Sequence, residues 1–358
     1  MTLLLVLPLA GAGVALASRW TGTRWAGAAG VGYLGLAALA ALGLAMDTGA
    51  GPAAALPGWT LLEGLPLRLG ADAPGAPLAA AVAGASLGVG AYSRWYLAED
   101  PALPAFLGTV ALFSGAMGWV ALGASPAALF VGWEGIGVAS FFLVAFWNTR
   151  AAAVGSALQA FLLNRIGDTL LTAAVAGLAV GLGGLAFGSL PAAGGVSAGW
   201  LGALLLGAAA GKSAQLGLHA WLPNAMEAPT PVSALIHAAT LVTAGVFLLA
   251  RTAPLLEGSA VATLGALTTL FAGLTGLAQH DLKRVVAYSP CSQVALMALA
   301  VGAGLGGAGL ALLALPAAYT PPLSLAAGLA TPALAAAPDL PGPGGLGGCV
   351  VGACLGLG

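Results

Sequence analysis

From Leu103 to Val120 the chain reads LPAFLGTVALFSGAMGWV, with no ionisable side chain, and runs of this kind recur along most of its length. A bilayer's hydrocarbon core is crossed by a helix of about 20 such residues, with every backbone hydrogen bond closed inside the helix. That constraint predicts spans at Leu3–Ala17, Ala26–Leu44, Leu78–Tyr92, Leu103–Val120 and Ala127–Trp147. Further spans follow at Ala151–Val180, Trp200–Trp221, Pro231–Arg251, Ala260–Ala278 and Val285–Leu305, with a possible eleventh near Leu310–Leu323. The expected fold is therefore an all-α, polytopic transmembrane helix bundle of ten to eleven helices. Its linkers are short and rich in Gly and Pro, as in DTGAGPAAALPG, and no stretch reads as a soluble domain. The opening MTLLLVLPLAGAGVALASRW lacks the basic start of a signal peptide and is read as the first membrane helix.

Composition agrees with a lipid environment. Hydrophobic residues make up 60% of the 358 and charged residues only 6%, against about 25% charged in soluble domains. The 57 glycines fit helices that approach one another closely in membranes. A net charge of -1 with no basic patch excludes nucleic acid as a partner. Cys291, Cys349 and Cys354 have no metal-ligand spacing, and no haem, iron–sulfur or dinucleotide motif is present. No cofactor is expected in this chain, so any redox chemistry belongs to other subunits.

Orientation is read from the loop Lys and Arg residues. Loops after odd-numbered spans carry Arg19, Arg24, Arg94, Arg150, Lys283 and Arg284, while loops after even-numbered spans carry Arg68 and Arg251. Six against two puts the odd loops in the cytoplasm and the N-terminus outside.

Glu134, Arg165, Asp168, Lys212 and His237 remain inside apolar spans. A charge at mid-membrane costs several kcal/mol, so such residues usually serve function. Glu134, in AALFVGWEGIGVASFFLVAFW, has no basic residue on its own helix. It is either protonated and bonded to backbone, or ionised opposite a cation on another helix. Lys212 follows Gly211 and precedes Ser213 and Gln215, a composition that points to a helix broken near the membrane centre. Desolvation disfavours its ammonium, so it can release and regain a proton near neutral pH. The alternative is a lysine that snorkels to the interface, for which it lies too central. His237, in TPVSALIHAATLVTAG, is either a satisfied core histidine or a relay using its two nitrogens. Arg165 and Asp168, three apart on one helix face, are either a self-neutralising ion pair or a device by which Asp168 biases a proton-carrying neighbour. His280, Asp281, Lys283 and Arg284 read as a solvated connecting loop.

FVGWEGIGVASFFLVAFW, NRIGD, KSAQLGLHAWLPNAMEAPTPVSALIHAATLVTAGVFLLAR and LAQHDLKRVVAYSPCSQVALM carry a resemblance. From about Tyr92 to Gly302 the chain resembles the antiporter-like membrane subunits of respiratory complex I, the proton-pumping NADH:quinone oxidoreductase. The resemblance is to their L-subunit type, which is also the NADH dehydrogenase subunit five type. It implies an inverted-repeat helix bundle in which Lys212 is the central proton carrier on a discontinuous helix. Glu134 matches the acidic residue that pairs with that lysine, His237 the relay residue one helix later, and Asp168 the acidic position after NRIG. The implied partners are the complex's other membrane subunits, with NADH and quinone bound by subunits other than this chain. The large subunit of multisubunit sodium/proton antiporters shares the same block, as do subunits of membrane-bound hydrogenases.

The sequence departs from the family at Asn224, usually Asp, at Gly217, usually Pro, and at Pro290, usually Thr or Ser. On this reading the chain divides into N-terminal helices at 1–92, the proton-translocating membrane domain at 93–305 and an atypical Gly/Pro/Ala-rich tail at 306–358. The tail carries only Asp339 as a charge and lacks the family's His-containing helix and second repeat. The expectation is a truncated or frameshifted product that keeps the first half-channel, with a non-functional fragment as the alternative.

Overall fold

The computed structural model describes residues 26–47, 59–62, 65–182, 198–238 and 240–312, with isolated positions at 6, 8–13, 17, 187, 190 and 325. The tail span near Leu310–Leu323 therefore lies largely outside the described residues, and the expected first span is described only in part. Among the described residues, eight helices are long and apolar enough to cross a membrane. The chain is a multi-pass, essentially all-helical membrane protein.

Helix α1 (Ala26–Asp47) is followed by a small antiparallel hairpin, β1 (Trp59–Leu62) and β2 (Leu65–Leu67), with Trp59 opposite Leu67. Apolar-run counting did not foresee this hairpin. Three long helices come next: α2 (Gly75–Tyr96), α3 (Leu103–Leu122) and α4 (Pro126–Val144). Ser125 starts α4 by accepting from Ala128 N at 3.3 Å, and Pro126 takes the first position, where a missing N–H costs nothing. The same hydroxyl donates to Pro66 O at 2.6 Å and accepts from Arg68 N at 3.1 Å, so one serine fastens the hairpin to the bundle.

Helix α5 (Ala151–Leu182) is the longest, and α6 (Ala198–Lys212) ends in mid-bundle. A short helix α7 (Trp221–Asn224) and a 3-10 turn (Ala225–Glu227) lead to α8 (Thr230–Ala238) and α9 (Leu241–Arg251). Helices α10 (Gly258–Leu277), α11 (Leu282–Gly302) and the short α12 (Gly306–Ala311) complete the described chain. Residues 230–237 and 240–249 are buried, so the α8–α9 segment lies inside the bundle. By contrast α10 presents Leu267, Leu270, Leu274 and Leu277 outward at helical spacing, a face built for lipid or for another subunit.

Candidate functional site

Two glycines bring the charged residues together. A Cβ on Gly211 would stand 3.1 Å from Gly167 Cα, so the backbones of α6 and α5 touch there. The residues immediately following these glycines, Lys212 and Asp168, then face each other. Lys212 Nζ lies 3.3 Å from Asp168 Oδ1, with the lysine side chain fully buried and the aspartate 3% exposed. Helix α4 closes the other side: Trp133 Nε1 donates to the same Asp168 oxygen at 2.7 Å, and its ring centroid lies 5.6 Å from Nζ. Gly137 leaves room for the ammonium, since a Cβ there would stand 3.0 Å from Nζ.

The charges continue outward. Arg165 Nε lies 4.0 Å from Asp168 Oδ2, and its Nη1 donates to Glu134 Oε2 at 2.7 Å. Lysine, aspartate, arginine and glutamate thus alternate in sign from the bundle interior to the α4–α5 surface, where the Arg165 and Glu134 side chains are 40% and 26% exposed. This arrangement corrects one expectation from the resemblance. Glu134 does not pair with Lys212; Asp168 faces the lysine and Arg165 takes the glutamate. The physical reason is reach. Arg165 sits one turn before Asp168 on α5, and its long guanidinium fork crosses to α4 ahead of the lysine.

Lys212 lies at a true helix break, so the span expected over Trp200–Trp221 stops nine residues early. Ala214 takes φ +48 and Gly217 φ +97, a left-handed angle closed to proline, which explains why glycine suits this chain's turn. A break inside a membrane is tolerated only where its freed polar groups find partners. Gln215 N donates to Ala210 O at 3.0 Å, Trp221 Nε1 to Gly211 O at 3.0 Å and Cys291 Sγ to Ala214 O at 3.4 Å, while Leu216 N donates to Thr268 Oγ1 at 3.0 Å. The ammonium of Lys212 therefore sits at the C-terminal end of α6, where the helix dipole favours a cation.

A second break separates α8 from α9 inside the span expected as Pro231–Arg251. Thr240 has φ -122 and ψ -94, outside the helical region; its hydroxyl donates to Leu235 O, and Thr243 Oγ1 donates to Thr240 O at 2.9 Å. Ser213 Oγ donates to Val242 O at 2.9 Å, tying the two breaks together. His237 lies one turn before this break, fully buried, and neither ring nitrogen has a hydrogen-bond partner among the described residues. It is not joined to the four-charge chain by any ion pair among those residues.

Other sequence readings resolve simply. Asp281 caps α11 by accepting from Lys283 N at 2.9 Å, and His280, Asp281 and Arg284 are exposed. Asn224 Nδ2 donates to Gln159 Oε1 at 2.8 Å, a neutral pair where the family usually has a carboxylate. Arg251, expected in a loop, is instead part of the bundle interior. It ends α9 with its side chain 4% exposed, bonded to Asp72 at 2.9 Å and to the carbonyls of Gly123 and Ala121. Among the described residues no group of three or more His, Cys, Asp and Glu stands close enough to hold a metal ion.

Trp133 and Thr240 escaped the sequence reading. Trp133 alone left a signal: tryptophan prefers the bilayer interfaces, and this one sits in mid-span beside Glu134.

The site is thus a buried lysine at a helix break in a membrane bundle, joined to a chain of alternating charges. Residues 125–319 match the family described as NADH:quinone oxidoreductase/Mrp antiporter, transmembrane region. This is more than half of the chain, and the chain belongs to that family. It is 46% identical over 220 residues to NADH-ubiquinone oxidoreductase chain 5 of Hypocrea jecorina, a match covering 59% of this chain and 32% of the relative. The chain thus spans about a third of the length of the curated relatives it matches. Its fold is similar to a chain of the Mrp complex from Dietzia sp. DQ12-45-1b, with a TM-score of 0.82 and 29% identity over 92% of this chain and 37% of that one. It is also similar to a chain of respiratory complex I from Thermus thermophilus, with a TM-score of 0.78 and 24% identity over 92% of this chain and 71% of that one.

Proposed function

We propose that this chain carries protons across the membrane as the antiporter-like subunit of an NADH:quinone oxidoreductase. On this reading NADH oxidation and quinone reduction take place in partner subunits and drive the movement, and this chain is part of an enzyme without being its redox centre. Lys212 is the carrier, Asp168 biases its protonation directly, Glu134 acts on that pair through Arg165, and His237 passes the proton onward. The membrane is the energy-conserving inner or cell membrane. The loop bias of Lys and Arg supports an N-terminus outside the cytoplasm.

The observation that carries the reading is Lys212 itself: a fully buried ammonium at a helix break, with a single carboxylate 3.3 Å away. A buried lysine held by one counter-charge can change protonation when that charge moves, and an arginine cannot. In membrane vesicles containing the assembled complex, Lys212→Ala is expected to abolish NADH-driven acidification, and Lys212→Arg to fail equally. Normal pumping by Lys212→Arg would remove the carrier role.

A second reading, the large subunit of a multisubunit sodium/proton antiporter, is favoured by the greater likeness to the Mrp complex chain. Proton movement that requires sodium and proceeds without NADH would support it over the first.

A further inference from the structure

The proton-carrying reading gives Trp133 no task, yet its position is costly to explain as packing alone. It lies in the middle of α4, fully buried, and an indole N–H buried in a membrane must find an acceptor. The acceptor is Asp168 Oδ1 at 2.7 Å, the same oxygen that faces Lys212 Nζ at 3.3 Å. The ring meanwhile lies 5.6 Å from the ammonium, within the range of a cation–π contact that strengthens on desolvation. Both contacts favour one state of the pair: a carboxylate accepts the N–H bond best when ionised, and the ring attracts the lysine only when it is protonated. Arg165, 4.0 Å from Oδ2, and Glu134 beyond it act on the same carboxylate from the far side.

We infer that Trp133 is a positioning residue for the Lys212–Asp168 pair, its N–H fixing the oxygen that Lys212 faces and its ring shielding the ammonium. An uncharged residue thereby helps set how readily the lysine gives up its proton. The inference deepens the proton-carrying reading and rests on it.

The test uses the intact membrane assembly carrying Trp133→Phe, which keeps an aromatic ring and deletes only the N–H donor. Two quantities are read: the infrared carboxylate band that disappears in Asp168→Asn, and the initial rate of proton translocation. The band is expected to shift and the rate to change by about 10-fold, the factor set by losing one hydrogen bond to a charged group. An unmoved band overturns the proposal whatever the rate does, and a shifted band with an unchanged rate overturns it as well. Absence of translocation in the unaltered assembly would instead refute the proton-carrying reading, while the band would still report on the bond. If Trp133→Phe does not accumulate, the resonance-Raman difference between the unaltered chain and Asp168→Leu serves. It is expected to show an indole N–H released from a strong hydrogen bond, and no such signature would overturn the proposal.

Discussion

Among the described residues two buried cations face aspartate, and they are held in opposite ways. Arg251 is held on several sides: Asp72 at 2.9 Å and the carbonyls of Gly123 and Ala121 at 2.9 and 3.1 Å take both terminal nitrogens of its guanidinium, the Phe247 ring centroid lies 4.7 Å away, and only Nε lacks a partner among the described residues. Lys212 has one carboxylate at 3.3 Å, whose facing oxygen is already bonded to Trp133, and its Nζ lacks a hydrogen bond of good geometry among the described residues. A guanidinium cannot be deprotonated in a protein, so the first site can only be structural. An ammonium can, and a loosely held one has somewhere to send its proton. The difference separates a staple from a carrier.

The sharpest way to break the comparison is to remove the staple. Arg251→Leu leaves two carbonyls and a carboxylate without their cation where α9 meets the ends of α2 and α3. Asp72 keeps 37% of its side chain exposed and water can solvate it, so the cost falls chiefly on the two orphaned carbonyls, about 1–3 kcal/mol each, and the variant is expected to accumulate poorly and to melt early in detergent. The matching change at the carrier should behave differently. Asp168→Asn removes the counter-charge of Lys212, but the lysine can respond by giving up its proton rather than by unfolding the bundle. The expected result is a normal melting profile with translocation lowered about 10-fold or more, read from vesicle acidification. If Asp168→Asn melted as early as Arg251→Leu, the two sites would be of one kind.

How much of this was legible follows from the physics of each feature. Single residues announce themselves in an apolar sequence, because a charge is costly there; Lys212, Asp168, Glu134 and His237 were all readable as candidates. So was the break at Lys212, from the Gly–Lys–Ser run. Partner choice was not readable, since it depends on how helices cross. Arg165 reaches Glu134 only because α4 and α5 pack at that register, and Arg251 is buried only because three element ends converge on it. The break at Thr240 hides because no Gly or Pro stands beside it, and its cost is met by the Thr240 hydroxyl and by Ser213 from another element.

The smallest test concerns one methyl group placed on either side of Lys212. At Gly211 the added carbon would meet Gly167 Cα at 3.1 Å, backbone against backbone, and neither helix can yield without separating. At Gly137 it would meet Lys212 Nζ at 3.0 Å, the far end of a flexible side chain. Gly211→Ala should therefore act as overpacking, costing about 1–3 kcal/mol and disturbing the whole Lys212–Asp168 register. Gly137→Ala should leave the melting profile nearly intact, because the ammonium can move by a few tenths of an ångström. Space on the α4 side is closed by the new methyl, so that movement carries the ammonium toward Asp168 and tightens the pair. A tighter pair holds its proton longer. Gly137→Ala is thus expected to slow translocation several-fold without loss of assembly, measured as acidification rate per assembled complex. An unchanged rate would mean that the looseness of the Lys212–Asp168 contact, the feature that most distinguishes it from the Arg251 staple, does not govern proton release.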